Sequence, residues 1–185
     1  MTKEAKTMKL QLPGVGMRTI KTAVSVMLSY LIFVPFNLIY REELGGLLGQ
    51  LGPLYACIAC VVCMQSSLGQ SFQIGLSRLL GVAVGGVLGV LALVPGEAMR
   101  HPLVKALALG LVCVAGIWLC LLLNRPAACT MACVVPCIIL VNNLMGAERF
   151  FYAAARIIET AVGVAIALAV NALLPDHRGG EPPEG

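Results

Sequence analysis

The sequence predicts an all-α membrane protein with six transmembrane helices. Hydrophobic residues make up 59% of the 185-residue chain and charged residues only 12%, whereas soluble domains average about 45–50% and about 25%. Charges, prolines and turn residues divide the chain into six apolar stretches, most of them close to the roughly 20 residues of a membrane-spanning helix. They are too long for barrel strands, and backbone groups in lipid must bond within their own segment, so helices are predicted.

The first three stretches are bounded by polar turns. The first covers about residues 18–38 and ends before the charged sequence YREELGG. The second, at about 51–64, is short and gives way to the polar sequence QSSLGQS. The third covers about 71–94 and is closed by PGEAMRHP. Charges, glycine and proline at these boundaries are typical of helix ends.

The last three stretches are separated in the same way. The fourth covers about 103–123 and stops at NRP, the fifth covers about 127–145, and the sixth covers about 150–174. Pro136 lies inside the fifth stretch, where a break would free carbonyl groups to line a site. A tolerated kink is the alternative.

The two ends of the chain differ from this transmembrane domain at 18–174. Residues 1–17 form a basic tail, and residues 175–185 form a Pro/Gly/Glu-rich tail with too little apolar surface to fold. Five of the thirteen basic residues lie within the first 21 residues, namely Lys3, Lys6, Lys9, Arg18 and Lys21. The positive-inside rule therefore predicts cytoplasmic N- and C-termini in the plasma membrane, and explains the net charge of +4 without a nucleic-acid partner.

Two pairs of short segments indicate an internal repeat. ACVV at 59–62 recurs at 132–135, and SRLLGVAVG at 77–85 matches ARIIETAVG at 155–163. Arg78 then corresponds to Arg156. Two three-helix halves with opposite orientation are the plan of many secondary transporters, and chance similarity between apolar helices remains the alternative.

Arg78 is the only charged residue of the third stretch. It either faces a cavity or helix interior, where it would meet an anion or a carboxylate, or it snorkels back to the polar loop before the stretch. Gly81, Gly85 and Gly89 follow at four-residue spacing, which favours close helix packing. Gly163 is the matching glycine of the sixth stretch. Arg78 lies near this glycine face, which favours an orientation toward protein.

Arg156 and Glu159 lie three residues apart on the sixth stretch and therefore share a helix face. Glu159 is the only acid deep within an apolar stretch. It is the candidate for proton coupling, and a static ion pair with Arg156 is the alternative.

Neutral polar residues offer further candidates for a substrate path. Gln65 and Ser67 belong to the polar loop after the second stretch, which could form a gate, a substrate mouth or a solvated turn. Asn142 follows Pro136 near the end of the fifth stretch.

All eight cysteines fall within apolar stretches, where cysteine behaves as a small hydrophobic residue. Disulfides are therefore not expected. Soft thiolates suit copper(I) or zinc, but no histidine accompanies them within a stretch, so we expect no metal site. The chain also lacks the phosphate-binding and catalytic motifs of enzymes, so we expect neither catalysis nor a cofactor.

Three longer segments carry a family resemblance. They are GMRTIKTAVSVMLSYLI, LYACIACVVCMQSSLGQSFQIGLSRLLGVAVGGVLG and ARIIETAVGVAIALAVNALLP. Together they resemble the membrane domain of the aromatic acid exporter family, within the wider fusaric acid resistance-like superfamily. The positions that match are Arg18, Lys21, Gln65, Arg78, Gly81, Arg156 and Gly163. The chain departs from that pattern at Ser66 and Ser67, where Pro-Thr is usual, and we expect no soluble cytoplasmic region of the kind that many relatives carry.

The resemblance implies a bacterial inner-membrane homodimer that exports small organic anions such as aromatic carboxylic acids, with proton coupling as an option. On this hypothesis the substrate path contains Arg78, Arg156, Gln65, Ser67, Lys21 and Asn142. A non-transporting membrane scaffold or assembly subunit is the alternative, and a soft-metal transporter is a third.

Overall fold

Six α-helices form the part of the chain that the computed structural model describes, which is residues 16–35, 51–93, 101–142, 144 and 146–174. They are α1 (Met17–Phe33), α2 (Pro53–Cys63), α3 (Leu68–Ala92), α4 (Pro102–Leu122), α5 (Cys129–Val141) and α6 (Glu148–Leu173). A short 3₁₀ turn (Pro126–Ala128) precedes α5. The described residues contain no strand, which confirms the predicted all-α fold.

Helix length separates the six helices into two groups. By length and composition, α3, α4 and α6 can each cross a membrane. The other three are shorter, with 17 residues in α1, 11 in α2 and 13 in α5. At 1.5 Å per residue, α2 is only about 16 Å long. The expectation of full-length spans therefore holds for three helices.

Local sequence explains most of the helix boundaries. Pro53 and Pro102 occupy the first turns of α2 and α4, where a missing N–H has no consequence. α3 starts at Leu68, earlier than predicted, because the Ser67 hydroxyl accepts a hydrogen bond from the Gln70 N–H and caps the helix. α5 ends at Val141 rather than near 145. Residues 36–38 of the first predicted stretch lie outside the described residues.

The two longest helices, α3 and α6, cross in antiparallel orientation at the centre of the bundle. Gly75 lies against Val164, and Gly86 lies against Ala153. α2 runs beside the second half of α6, and α5 runs beside the second half of α3. α1 and α4 pack outside α2 and α5, respectively.

The two short helices begin near the midpoints of the two long ones. The Gly52 N–H, which precedes α2, contacts Glu159, the twelfth of the 26 residues of α6. Ala128, which precedes α5, contacts Gly81, the fourteenth of the 25 residues of α3. Both helix starts therefore lie deep within the bundle.

Pro136 lies inside the continuous helix α5 and does not break it. A proline removes the hydrogen bond to the carbonyl four residues earlier, which here belongs to Ala132. Side-chain atoms placed at Gly85 of α3 and Gly116 of α4 would come within 3.0 and 3.1 Å of this oxygen. Glycine at both positions lets two helices pack directly against the freed carbonyl.

We expect Gly163→Ala to destabilise the bundle. Its added methyl would overlap the Ala56 carbonyl and lie 2.7 Å from the Ala59 side chain, and overpacking of this kind costs about 1–3 kcal/mol. Thermal unfolding in detergent measures the effect. Gly110→Ala on α4 is the matched control, because nothing lies within 4 Å of its new methyl. Equal melting temperatures for the two variants would contradict the packing described.

Candidate functional site

Arg78 is a buried cation near the middle of α3. It is the eleventh of 25 helix residues, about 15 Å from the helix start, and only 6% exposed. An arginine that snorkelled to the membrane surface would be more exposed.

Within the described part of the chain, no carboxylate pairs with Arg78, and its Nε has no hydrogen-bond partner. The Cys63 thiol on α2 is close enough to interact electrostatically, but a thiol is mostly neutral at pH 7 and supplies no counter-charge. Arg78 therefore presents a positive charge that the surrounding described protein does not neutralise.

Arg156 on α6, which the predicted repeat aligns with Arg78, has a different environment. Its Nη1 lies 3.0 Å from Glu159 Oε2, and its Nη2 donates to Glu159 Oε1 at 3.2 Å. Arg156 is 3% exposed and Glu159 is fully buried. The Gly52 N–H at the start of α2 also donates to Glu159. The carboxylate thus joins the middle of α6 to the start of α2.

Two tyrosines complete the surroundings of Arg156. Its guanidinium carbon lies 3.8 Å from the ring centroid of Tyr55 and 4.7 Å from that of Tyr152. The two tyrosine hydroxyls are 3.2 Å apart. The ion pair with Glu159 neutralises this arginine, and the cation–π contacts stabilise its guanidinium further.

A second polar cluster lies where α1 starts and α6 ends. The Lys21 ammonium, 1% exposed, donates to Asn171 Oδ1 at 3.1 Å. The Asn171 amide donates to the Ser71 hydroxyl at 2.9 Å and to the Gln65 carbonyl at 3.2 Å. Arg18 donates to the Met64 carbonyl and the Gln65 side chain. This end cluster ties α1, α3 and α6 together.

The remaining candidate path residues lie apart from these centres. Ser67 caps α3 beside the end cluster. Asn142 follows α5 at the opposite end of the bundle, and its amide donates to the Ile138 carbonyl. The structure therefore brings Lys21 and Gln65 together, places Arg78 and Arg156 deep in the bundle, and leaves Asn142 remote.

Comparison with protein families matches a family model described as fusaric acid resistance protein-like to residues 43–170, about two thirds of the chain. The chain belongs to the fusaric acid resistance protein-like family. The superfamily resemblance inferred from the sequence is thereby confirmed. Membership indicates a membrane transport or resistance function in a multi-pass membrane protein. No curated protein and no solved structure shows significant similarity to the chain.

The matched segment of this family member contains both central arginines and Glu159, but not Lys21 or Asn171. The candidate path therefore falls partly inside and partly outside the family's shared region.

Sequence reasoning missed several polar residues that contact the buried charges of this fusaric acid resistance-like protein. Tyr55 and Tyr152 carry no local signal, because they meet only when α2 packs on α6. Asn171 could have been suspected, since it is an amide on a helix face that also holds Gly163 and Glu159.

All eight cysteines of the protein are free thiols. Cys113 and Cys137 approach to 3.8 Å between sulfur atoms across α4 and α5. Among the described residues, no three His, Cys, Asp or Glu side chains lie close enough together to hold a metal ion.

Proposed function

We propose that the protein is an exporter of small organic anions such as aromatic carboxylic acids. The observation that carries this proposal is Arg78, a cation 94% removed from solvent for which the described chain provides no carboxylate. A buried charge of this kind is costly unless a partner is present, and a bound substrate carboxylate would be that partner. Transport is proposed here rather than catalysis.

The family description supports the same class of substrate. Fusaric acid is a pyridine carboxylic acid with a short alkyl chain, so it combines a flat ring, an apolar tail and one carboxylate. A guanidinium binds a carboxylate through two parallel hydrogen bonds, and the apolar helix surfaces suit the ring and tail.

We further propose six spans arranged as two inverted repeats, α1 to α3 and α4 to α6. The spacing of 78 residues that relates Arg78 to Arg156 also relates Gly75 to Ala153 and Gly86 to Val164. These four residues form the two contacts at the crossing of α3 and α6. The residue pairing of the repeat therefore relates the Gly75–Val164 contact to the Gly86–Ala153 contact.

The short helices support the repeat as well. Each of them packs on the long helix of the opposite half, with Gly163 against Ala56 and Gly85 against Ala132. Inverted repeats of this kind allow a central site to face one side of the membrane and then the other.

The proposal also covers the membrane location, the oligomeric state and the topology of the protein. We place the protein in the bacterial plasma membrane as a homodimer with both termini in the cytoplasm, as the basic N-terminal residues and the family resemblance favour. Coupling to protons through Glu159 stays a prediction. In the structure, the Glu159 carboxylate forms an ion pair with Arg156 and accepts a hydrogen bond from the Gly52 N–H.

Reconstitution into liposomes tests the proposed function. We expect the purified full chain to carry preloaded fusaric acid out of liposomes, and expect benzoate, but not benzamide, to compete. Protein-free liposomes measure passive leakage of the neutral acid. Repeating the assay with and without a pH gradient tests proton coupling. An absence of protein-dependent flux would contradict transport and favour a scaffold.

A further inference from the structure

A cavity of about 540 Å³ opens beside the first half of α3, where the link between α4 and α5 passes it. Its polar lining consists of Gln73, Ser77, Asn124 and Arg125, and Ile74 and Leu123 contribute apolar surface. Cavities of roughly 300–1,000 Å³ with this mixture of apolar and polar groups are typical ligand sites. None of these residues belongs to the substrate path considered above.

Among the described residues that line this cavity, Arg125 is the only charged one. The side chain is half-buried, and no described residue forms an ion pair with it. Ser77 lies nine residues into α3, about 13 Å from the helix start, which puts the cavity well inside the span. A lipid-facing arginine at that depth would be costly, so the lining favours water or a polar ligand over lipid.

In the repeat proposed above, the counterpart of Arg125 is a buried residue. The segment 125–137 aligns with 52–64, so that Pro126 matches Pro53 and Arg125 matches Gly52. At Gly52 the Glu159 carboxylate accepts the backbone N–H, and Arg156 neutralises it. At Arg125 the described chain provides a cation and an open cavity instead.

We propose that this cavity is a second anion-binding site, in which Arg125 binds the carboxylate of an organic acid as it is loaded toward Arg78. The guanidinium can bind a carboxylate through two hydrogen bonds. The amides of Gln73 and Asn124 supply further donors, while Ile74 and Leu123 accommodate an aromatic ring. This assignment rests on the proposed function, and with the N-terminus in the cytoplasm the loading site lies on the cytoplasmic side of Arg78.

Protection from alkylation tests binding without requiring transport. Ala127→Cys places a thiol in the cavity lining, and mass spectrometry of the labelled peptide distinguishes it from the native cysteines. Asn124 is left in place, because its φ of 54° is unfavourable for most other residues. The purified full chain in detergent is treated with neutral N-ethylmaleimide in the presence of benzoate or benzamide. Leu123→Cys is the second reporter, and exposed His101→Cys at the start of α4 is the remote control.

We expect benzoate, but not benzamide, to slow labelling of Ala127→Cys and to leave His101→Cys unchanged. Arg125→Gln should raise the benzoate concentration for half-maximal protection by about tenfold, since a charge-assisted hydrogen bond is lost. Equal protection in Arg125→Gln would overturn the assignment, as would cavity thiols that do not react or that benzoate does not protect.

The test separates this site from the proposed function. Benzoate protection without fusaric acid flux in liposomes would retain the binding site and reject transport. Flux without protection of either cavity reporter would retain transport and reject the loading site.

Discussion

Arg78→Gln should reduce fusaric acid flux in liposomes by roughly ten- to a hundredfold at low substrate concentration and leave the protein at least as stable as the wild type. The variant loses the cation that we propose binds the substrate carboxylate. Hydrogen bonds to a charged group contribute about 1.5–3 kcal/mol, so substrate affinity should fall roughly ten- to a hundredfold. The fold should not suffer, because the described chain holds no carboxylate that the change would leave unpaired. Flux and thermal unfolding of the same preparations measure the two effects.

Two further arginine variants act as controls. Arg78→Lys keeps the charge but not the two parallel hydrogen bonds, so intermediate flux is expected. Arg149→Gln removes an arginine in the first turn of α6, where it lies over the Phe150 ring, and should transport normally. Normal flux through Arg78→Gln would contradict the assigned role.

Arg156→Gln and Glu159→Gln should each destabilise the protein strongly. Each leaves the other charge buried without its ion-pair partner, and such changes cost about 3–5 kcal/mol. Glu159→Gln also weakens the contact with the Gly52 N–H, which holds the start of α2 against α6. Thermal unfolding in detergent should therefore show large losses for both variants.

The double variant Arg156→Met/Glu159→Met distinguishes an ion pair from two independent effects. Replacing both buried charges with apolar side chains is often close to neutral, so the double variant should be more stable than either single variant. Additive losses would contradict mutual neutralisation. Substitution of Arg78 on α3 should thus reduce transport but not stability, whereas substitution of Arg156 on α6 should reduce stability.

Much of the fold could be predicted from the sequence, because apolar stretches of membrane length leave helices as the one form that satisfies the backbone. The short length of α2 was also predicted, from the apolar stretch at about 51–64. The extent of α5 was not, because the predicted apolar stretch continues to about residue 145, whereas the helix ends at Val141.

The candidate site was predictable only in part. The glycine face beside Arg78 indicated its burial, and the three-residue spacing of Arg156 and Glu159 indicated their contact. No local pattern could reveal Tyr55 against Arg156, Lys21 against Asn171, or the cavity at Arg125. Each depends on residues between 45 and 150 positions apart in the chain, which only the packing of distant helices brings together.

Ligand-induced stabilisation is the most direct test of the claim that Arg78 holds the substrate anion. Fusaric acid that binds the folded protein stabilises it by about 2.7 kcal/mol at a concentration of about 100 times Kd. We predict a concentration-dependent rise in the melting temperature of the wild-type protein, no rise with the uncharged amide of fusaric acid, and a clearly smaller rise for Arg78→Gln, which keeps only the proposed site at Arg125. An undiminished rise for Arg78→Gln would show that Arg78 does not hold the anion and would contradict the account.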